Sequence, residues 1–259
     1  MRLISDAAAG IAIHDSTSPH LDKQPTMTVI GAGNCQDIDL PELAAAFSEI
    51  RLIDIDAIAL EAAVSQLAAT VRSQIRIFAP IDIAAPLMSL SAFGGFDTVQ
   101  RTAFLTAVAS AAMPESLPVS DVVVSTCLLS QLLDSASQIA PPEFPDFLPL
   151  IQAVRRGHLV RLLSLTAAGG RTLLITDLVS SDTVPDLAKT LLAELPKLMS
   201  QCLQSGNFFS GLNPAVVQHD IQHIPACIEL CASSRILPPW HWHLGPRTFA
   251  VYAVEMSRV

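Results

Sequence analysis

The chain has 259 residues, of which 51% are hydrophobic and 15% charged, with a net charge of -9 and a pI of about 5.1. That length suits one sizeable core in a single domain. With Arg155-Arg156 as its densest basic element, the chain lacks the basic stripe of a nucleic-acid binder, and no uninterrupted apolar run is long enough to span a bilayer.

Residues 1–25 read as a leader, with a short helix around Ala7 to Ile13 followed by the turn-rich DSTSPH. Asp6 precedes its apolar run and Asp15 closes it, which does not fit a secretory signal. The leader is either a surface tail or a lid over a site, and it carries His14. The five cysteines (Cys35, Cys127, Cys202, Cys227 and Cys231) are odd in number and scattered, as reduced thiols of a cytoplasmic protein would be.

From Thr26 the pattern alternates strand and helix. Thr26 to Ile30 is short, apolar and β-branched, as suits a central strand covered on both faces. Gly31 and Gly33 then allow a tight turn and the close approach of a ligand. A helix from Leu40 to Phe47 is expected to aim its free N–H groups at that ligand. The second strand, Ile50 to Ile53, ends in Asp54, with Ile55 beside it. A carboxylate at this strand end, roughly 20 residues after the glycine turn, is placed to take two ribose hydroxyls. These features point to a ligand containing adenosine.

Ala57 to Val71 carries a helical apolar stripe, Ser73 to Phe78 reads as the third strand, and Asp82-Ile83 follows it. After Gly94-Gly95 comes a helix over Asp97 to Ala112, then a fourth strand over Val119 to Ser125 that continues as Thr126-Cys127. Helices are expected over Leu128 to Ile139 and over Phe147 to Ala167, the latter stopped by Gly169-Gly170. Arg171 to Asp177 is the fifth strand, and Val184 to Gln204 a helix that Pro196 kinks or splits. A helical insertion over 205–235, with Pro214 to Leu230 helical, precedes two extended stretches, Ile236 to His243 and Arg247 to Met256. Leu244-Gly245-Pro246 joins those two as a hairpin.

A dinucleotide loop of the form G-x-G-x-x-G needs a last glycine where this chain has Gln36, and Cys35 stands instead at the fifth position of a G-x-G-x-G loop. The chain resembles the class I S-adenosylmethionine-dependent methyltransferases, with Val29 where an acidic residue is usual. The resemblance covers 26–259 and implies a Rossmann-like α/β three-layer sandwich. Its sheet would have seven mostly parallel strands in the order 3-2-1-4-5-7-6, the last of them antiparallel. It also implies S-adenosyl-L-methionine as cofactor, S-adenosyl-L-homocysteine as product and, in this chain, a small-molecule acceptor. The implied cofactor contacts are Gly31, Ala32, Gly33, Asn34, Cys35 and Asp37 at the methionine part and Asp54 with Ile55 at the ribose. Asp82 with Ile83 would meet the adenine, and Ser125, Thr126 and Cys127 would lie beside the sulfonium.

A sulfonium donor is already activated, so positioning matters more than a general base. If a base is used, His14, His241 and His243 are the candidates. In Trp240-His241-Trp242-His243 the strand period puts both Trp rings on one face and both His rings on the other. His219 and His223 read as a polar helix face, and Cys227, Cys231 and His223 as packing, so no metal site is expected. A Tyr-x-x-x-Lys dehydrogenase is excluded, because Met256 stands four residues after Tyr252, the single tyrosine. The alternative to a methyltransferase is a catalytically silent binding protein on the same fold.

Overall fold

The computed structural model describes residues 24–83, 93–110 and 117–259. The first half of the described chain alternates as expected. It runs β1 (Thr26–Ile30), α1 (Leu40–Ala46), β2 (Glu49–Ile53), α2 (Ala57–Ser65), α3 (Ala69–Arg72) and β3 (Ile75–Phe78). After α4 (Thr98–Ser110) come β4 (Ser120–Thr126), α5 (Leu128–Ile139), α6 (Phe147–Leu165) and β5 (Thr166–Ser180). A 3-10 turn at Leu187–Lys189, then α7 (Leu195–Ser205), α8 (Pro214–His223) and α9 (Pro225–Leu230), lead to the hairpin of β6 (Cys231–Leu244) and β7 (Arg247–Arg258).

These strands form one seven-stranded sheet in the order β3-β2-β1-β4-β5-β7-β6. Neighbours from β3 to β5 pair in parallel, whereas β7 runs antiparallel to both β5 and β6. It is the strand order and polarity of the class I methyltransferase fold. At the amino ends Asp121 ties β4 to β1, its Oδ2 accepting from Thr26 N at 2.7 Å and from Thr26 Oγ1 at 2.8 Å.

The sheet is covered on both faces, so its strands are apolar nearly throughout. On one face Ile30, Ile53, Val123 and Leu174 join the core formed with α4, α5 and α6. On the other, Val29, Leu52, Val124 and Leu173 pack with Leu40, Leu43 and Leu60 from α1 and α2. β6 is the edge strand, where Pro238-Pro239 falls in a register shift between Leu237 and Trp240. An edge tolerates the missing donors.

Several elements differ from the sequence reading. The helix expected over 57–71 is broken by Ala68, which is extended at φ -59° and ψ 147°. Gly169-Gly170 does not end a helix. α6 stops at Leu165, Thr166 pairs at once with Ser120, and pairing resumes at Arg171 opposite Val122, so residues 167–170 form a bulge in a longer β5. Gly169 supplies the positive φ of 76°, and a Cβ on Gly170 would lie 2.5 Å from the Asp121 carbonyl. Pro196 sits in the first turn of α7 rather than inside a helix, a position where no N–H is needed. Ile224, extended before Pro225, separates α8 from α9.

Candidate functional site

The carboxyl ends of β1, β2 and β3 open into a cleft of about 540 Å³, a volume suited to a small ligand. Gly31, Gly33 and Asn34 line it from the first turn, Asp54 and Ile55 from the second, and Asp82 and Ile83 from the segment after β3. Leu128, Gln131, Leu132 and Ser135 close it from α5.

The glycine turn is locked from several sides. Gly31 N donates to the Ile53 carbonyl at 3.0 Å, and the Gly31 carbonyl accepts from Thr126 Oγ1 at 2.6 Å. Gly31 has a φ of 75° and a built Cβ would come within 3.0 Å of Leu128 Cβ, so glycine is needed for both conformation and space. Asp54 spans the turn. Its Oδ2 accepts from Gly33 N at 2.8 Å and its Oδ1 from Asp56 N at 3.0 Å. Each oxygen has a second lone pair, so the carboxylate can hold the loop and still accept two ligand hydroxyls.

A second cleft of about 960 Å³ lies at the carboxyl ends of β4 and β5 and shares Gln131 and Ser135 with the first. Cys127, Asp177, Phe209, Trp242, Arg247 and Phe249 are among its walls. The rings of Trp242 and Phe249, paired across the hairpin, have centroids 5.2 Å apart. The Arg247 guanidinium lies 4.8 Å from the Phe249 centroid and also pairs with Asp182. Asp177 is only 6% exposed, and its Oδ1 has no hydrogen-bond partner among the described residues. Burial raises its pKa, against the pull of Ser130, Arg247 and Cys127.

The residues expected beside the sulfonium divide three ways. Ser125 turns away into the core, because it shares the face of Val123 and meets His158 Nε2 at 2.9 Å. Thr126 supports the Gly31 turn. Cys127 faces the second cleft and adopts a left-handed φ of 50° just before α5. Burial, with the charges of Asp177 and Asp37, raises the Cys127 thiol above the usual range, so it stays neutral. Cys35, pushed up to about 11 by burial and by Asp54, lies off the first cleft in a neighbouring depression with Asn34. Ala32 is buried and Asp37 is exposed outside both clefts. The start of α1 does not aim free donors at the cleft either. Asp39 accepts from Glu42 N at 2.9 Å, and Pro41 lacks a donor.

Neither terminal histidine lines either cleft. The Trp rings of β6 turn to the apolar cluster around Cys127, Phe249 and Val251, and the alternation of the strand sends His241 and His243 to the opposite face. His243 Nδ1 bonds Thr248 Oγ1 at 2.9 Å. His14 lies outside the described residues. His219 and His223 stack at 3.8 Å on the surface, and no group of three or more potential metal ligands occurs among the described residues.

Three contributors to the clefts had no place in the sequence reading. Leu128, Gln131, Leu132 and Ser135 recur at helical spacing on α5, a stripe visible in sequence once the fourth strand is placed. Asp177 follows an apolar run as Asp54 does, although β5 continues past it to Ser180. Arg247, at the start of β7, carries no such local signal.

No family model and no curated protein matches the chain. Solved structures do align with it. The plantazolicin methyltransferase BpumL in complex with SAH is 11% identical, with 100% of this chain and 84% of that one covered, at a TM-score of 0.47. The S-adenosylmethionine-dependent methyltransferase SibL is 13% identical over 93% of this chain and 52% of that one, at 0.43. The magnesium protoporphyrin IX methyltransferase of Synechocystis with bound SAH is 12% identical over 98% and 83%, at 0.41.

No helix among the described residues is long and apolar enough to cross a membrane.

Proposed function

We propose that the first cleft binds S-adenosylmethionine and that the chain is a methyltransferase acting on a small-molecule acceptor. The observation that carries this reading is the position of Asp54, which lines the cleft at the end of β2 while its Oδ2 holds the N–H of Gly33. A carboxylate that is fixed by the glycine turn and retains free lone pairs suits a ribose diol. Asp82 and Ile83 line the same cleft where an adenine would reach, with a carboxylate for its amino group and an aliphatic chain for its face. The turn itself offers close backbone approach, since a Cβ on Gly33 would meet nothing within 4 Å.

When bound, the donor supplies a methyl carbon activated by its sulfonium. The chain's own share is to fix the ligand's sugar and base, to exclude water and to hold an acceptor in the adjoining cleft. Leu128, Leu132 and Ile83 supply the apolar cover, and Gln131 and Ser135 stand where the two clefts meet.

Calorimetric titration with S-adenosylhomocysteine tests the reading directly. Saturable binding is expected, and Asp54→Ala should weaken it by more than about tenfold, because a hydrogen bond to a charged group contributes roughly 1.5 to 3 kcal/mol. Unchanged affinity in that variant would remove Asp54 from the ribose. No binding at millimolar nucleoside would leave a binding protein on a methyltransferase fold.

A further inference from the structure

The second cleft combines features that the first does not. Its walls are aromatic, from Phe208, Phe209, Trp242 and Phe249, and a buried acid, Asp177, stands among them. Asp177, three residues before the end of β5, has one oxygen, Oδ1, buried without a hydrogen-bond partner among the described residues. Leaving such an atom unpaired is costly, and for an ionised carboxylate more so. Arg247 acts on Asp177 through its charge, but its hydrogen bonds go elsewhere. Arg247 pairs with Asp182, donates to Ser180 Oγ at 3.4 Å and lies over the Phe249 ring. Asp134 adds a second carboxylate to the same cleft.

We infer that this cleft is the acceptor subsite and that it takes a flat aromatic ligand carrying a cationic nitrogen, the ring lodged against Trp242 and Phe209 and the nitrogen facing Asp177. The inference rests on the proposed function only in calling this ligand the acceptor. Three observations favour a cation over a neutral or anionic ligand. Asp177 and Asp134 outnumber the single arginine of the wall, and that arginine is also paired with Asp182. The electron-rich faces of Trp and Phe attract cations, and Arg247 over Phe249 shows this wall already holding one. The remaining polar atoms near Asp177, the Ser130 hydroxyl and the Cys127 thiol, can accept hydrogen bonds as well as donate them, so neither repels a ligand N–H.

Two probes with the same phenethyl scaffold and opposite charge decide it: 2-phenylethylamine, cationic at neutral pH, and 3-phenylpropionate. Trp242 is one of two tryptophans in the chain, so quenching of intrinsic fluorescence reports occupancy, and calorimetry gives the affinity. The amine should bind saturably and at least about tenfold more tightly than the carboxylate, as a charge-assisted contact predicts. In Asp177→Asn the two affinities should converge to within about twofold by the same argument, with S-adenosylhomocysteine binding retained. The comparison in the unaltered protein stands even if the variant does not fold. Equal binding of the probes, tighter binding of the carboxylate, no saturable binding of the amine at about 10 mM, roughly tenfold above a dissociation constant of ~1 mM, or a preference that survives in Asp177→Asn would each overturn the inference. Amine binding without nucleoside binding would uphold this site and defeat the methyltransferase reading; the reverse result would do the opposite.

Discussion

Ser125 and His158 form a fully buried polar side-chain pair that joins the sheet to α6, with Ser125 Oγ and His158 Nε2 at 2.9 Å. Burial, with the nearby charge of Arg161, pushes the His158 pKa down to about 3. The folded pKa therefore lies below the unfolded value, near 6.5. Between those two values the unfolded chain binds a proton that the folded chain refuses, so stability falls as pH drops through the window from about 6.5 to 3 and is complete above it. The slope from one such group approaches about 1.4 kcal/mol per pH unit. Urea unfolding at pH 7 and pH 5 should thus show a loss on acidification that is smaller by about 1 to 2 kcal/mol in His158→Gln. Equal losses in the two proteins would mean that the histidine is hydrated or already protonated in the fold. The same pair explains why Ser125 could not be placed from sequence. A strand end named only by its position leaves the parity of its last residues open, and the partner that fixes it lies 33 positions away. Asp54 was legible because the glycine turn and the strand end point to it independently.

At the scale of elements, boundaries were clearest where local chemistry sets both ends. β1 lies between Pro25 and Gly31, and α5 lies between the left-handed Cys127 and Ala140, with Pro141 and Pro142 beyond. β5 was underestimated because its first residues are held by a bulge whose register depends on β4, which no local pattern encodes. α8 and α9 were merged although Pro225 marks the break. The packing of the Gly31 turn against α5 offers a sharper test. Gly31 and Gly33 both have positive φ, at 75° and 53°, but only at Gly31 would a Cβ press on Leu128, at 3.0 Å. Alanine at either position should cost about 1 to 2 kcal/mol for the left-handed backbone. Gly31→Ala should lose more, and should weaken S-adenosylhomocysteine further, because the added methyl pushes on α5 at the rim of the cleft. Greater destabilisation by Gly33→Ala in urea titrations would show that the α5 contact yields without cost.

Across the whole molecule, the two clefts are built from opposite ends of the chain and meet on α5. The first depends on β1, β2 and β3, the second on β5 and the terminal hairpin, and Gln131 and Ser135 belong to both. The halves are joined through the middle of one continuous sheet, where β4 pairs with β1 on one side and β5 on the other, and Asp121 and Thr26 reinforce that seam. A ligand held at the β1 end should therefore stabilise the hairpin end as well. At a nucleoside concentration about 100 times its dissociation constant, mass action adds about 2.7 kcal/mol. For a chain of this size that corresponds to a rise of roughly 5 to 10 °C in Tm. Scanning calorimetry should show a single transition that moves upward as a whole with S-adenosylhomocysteine. Two transitions, of which only one moved, would mean that the β4 seam does not couple the halves and that the clefts fill independently.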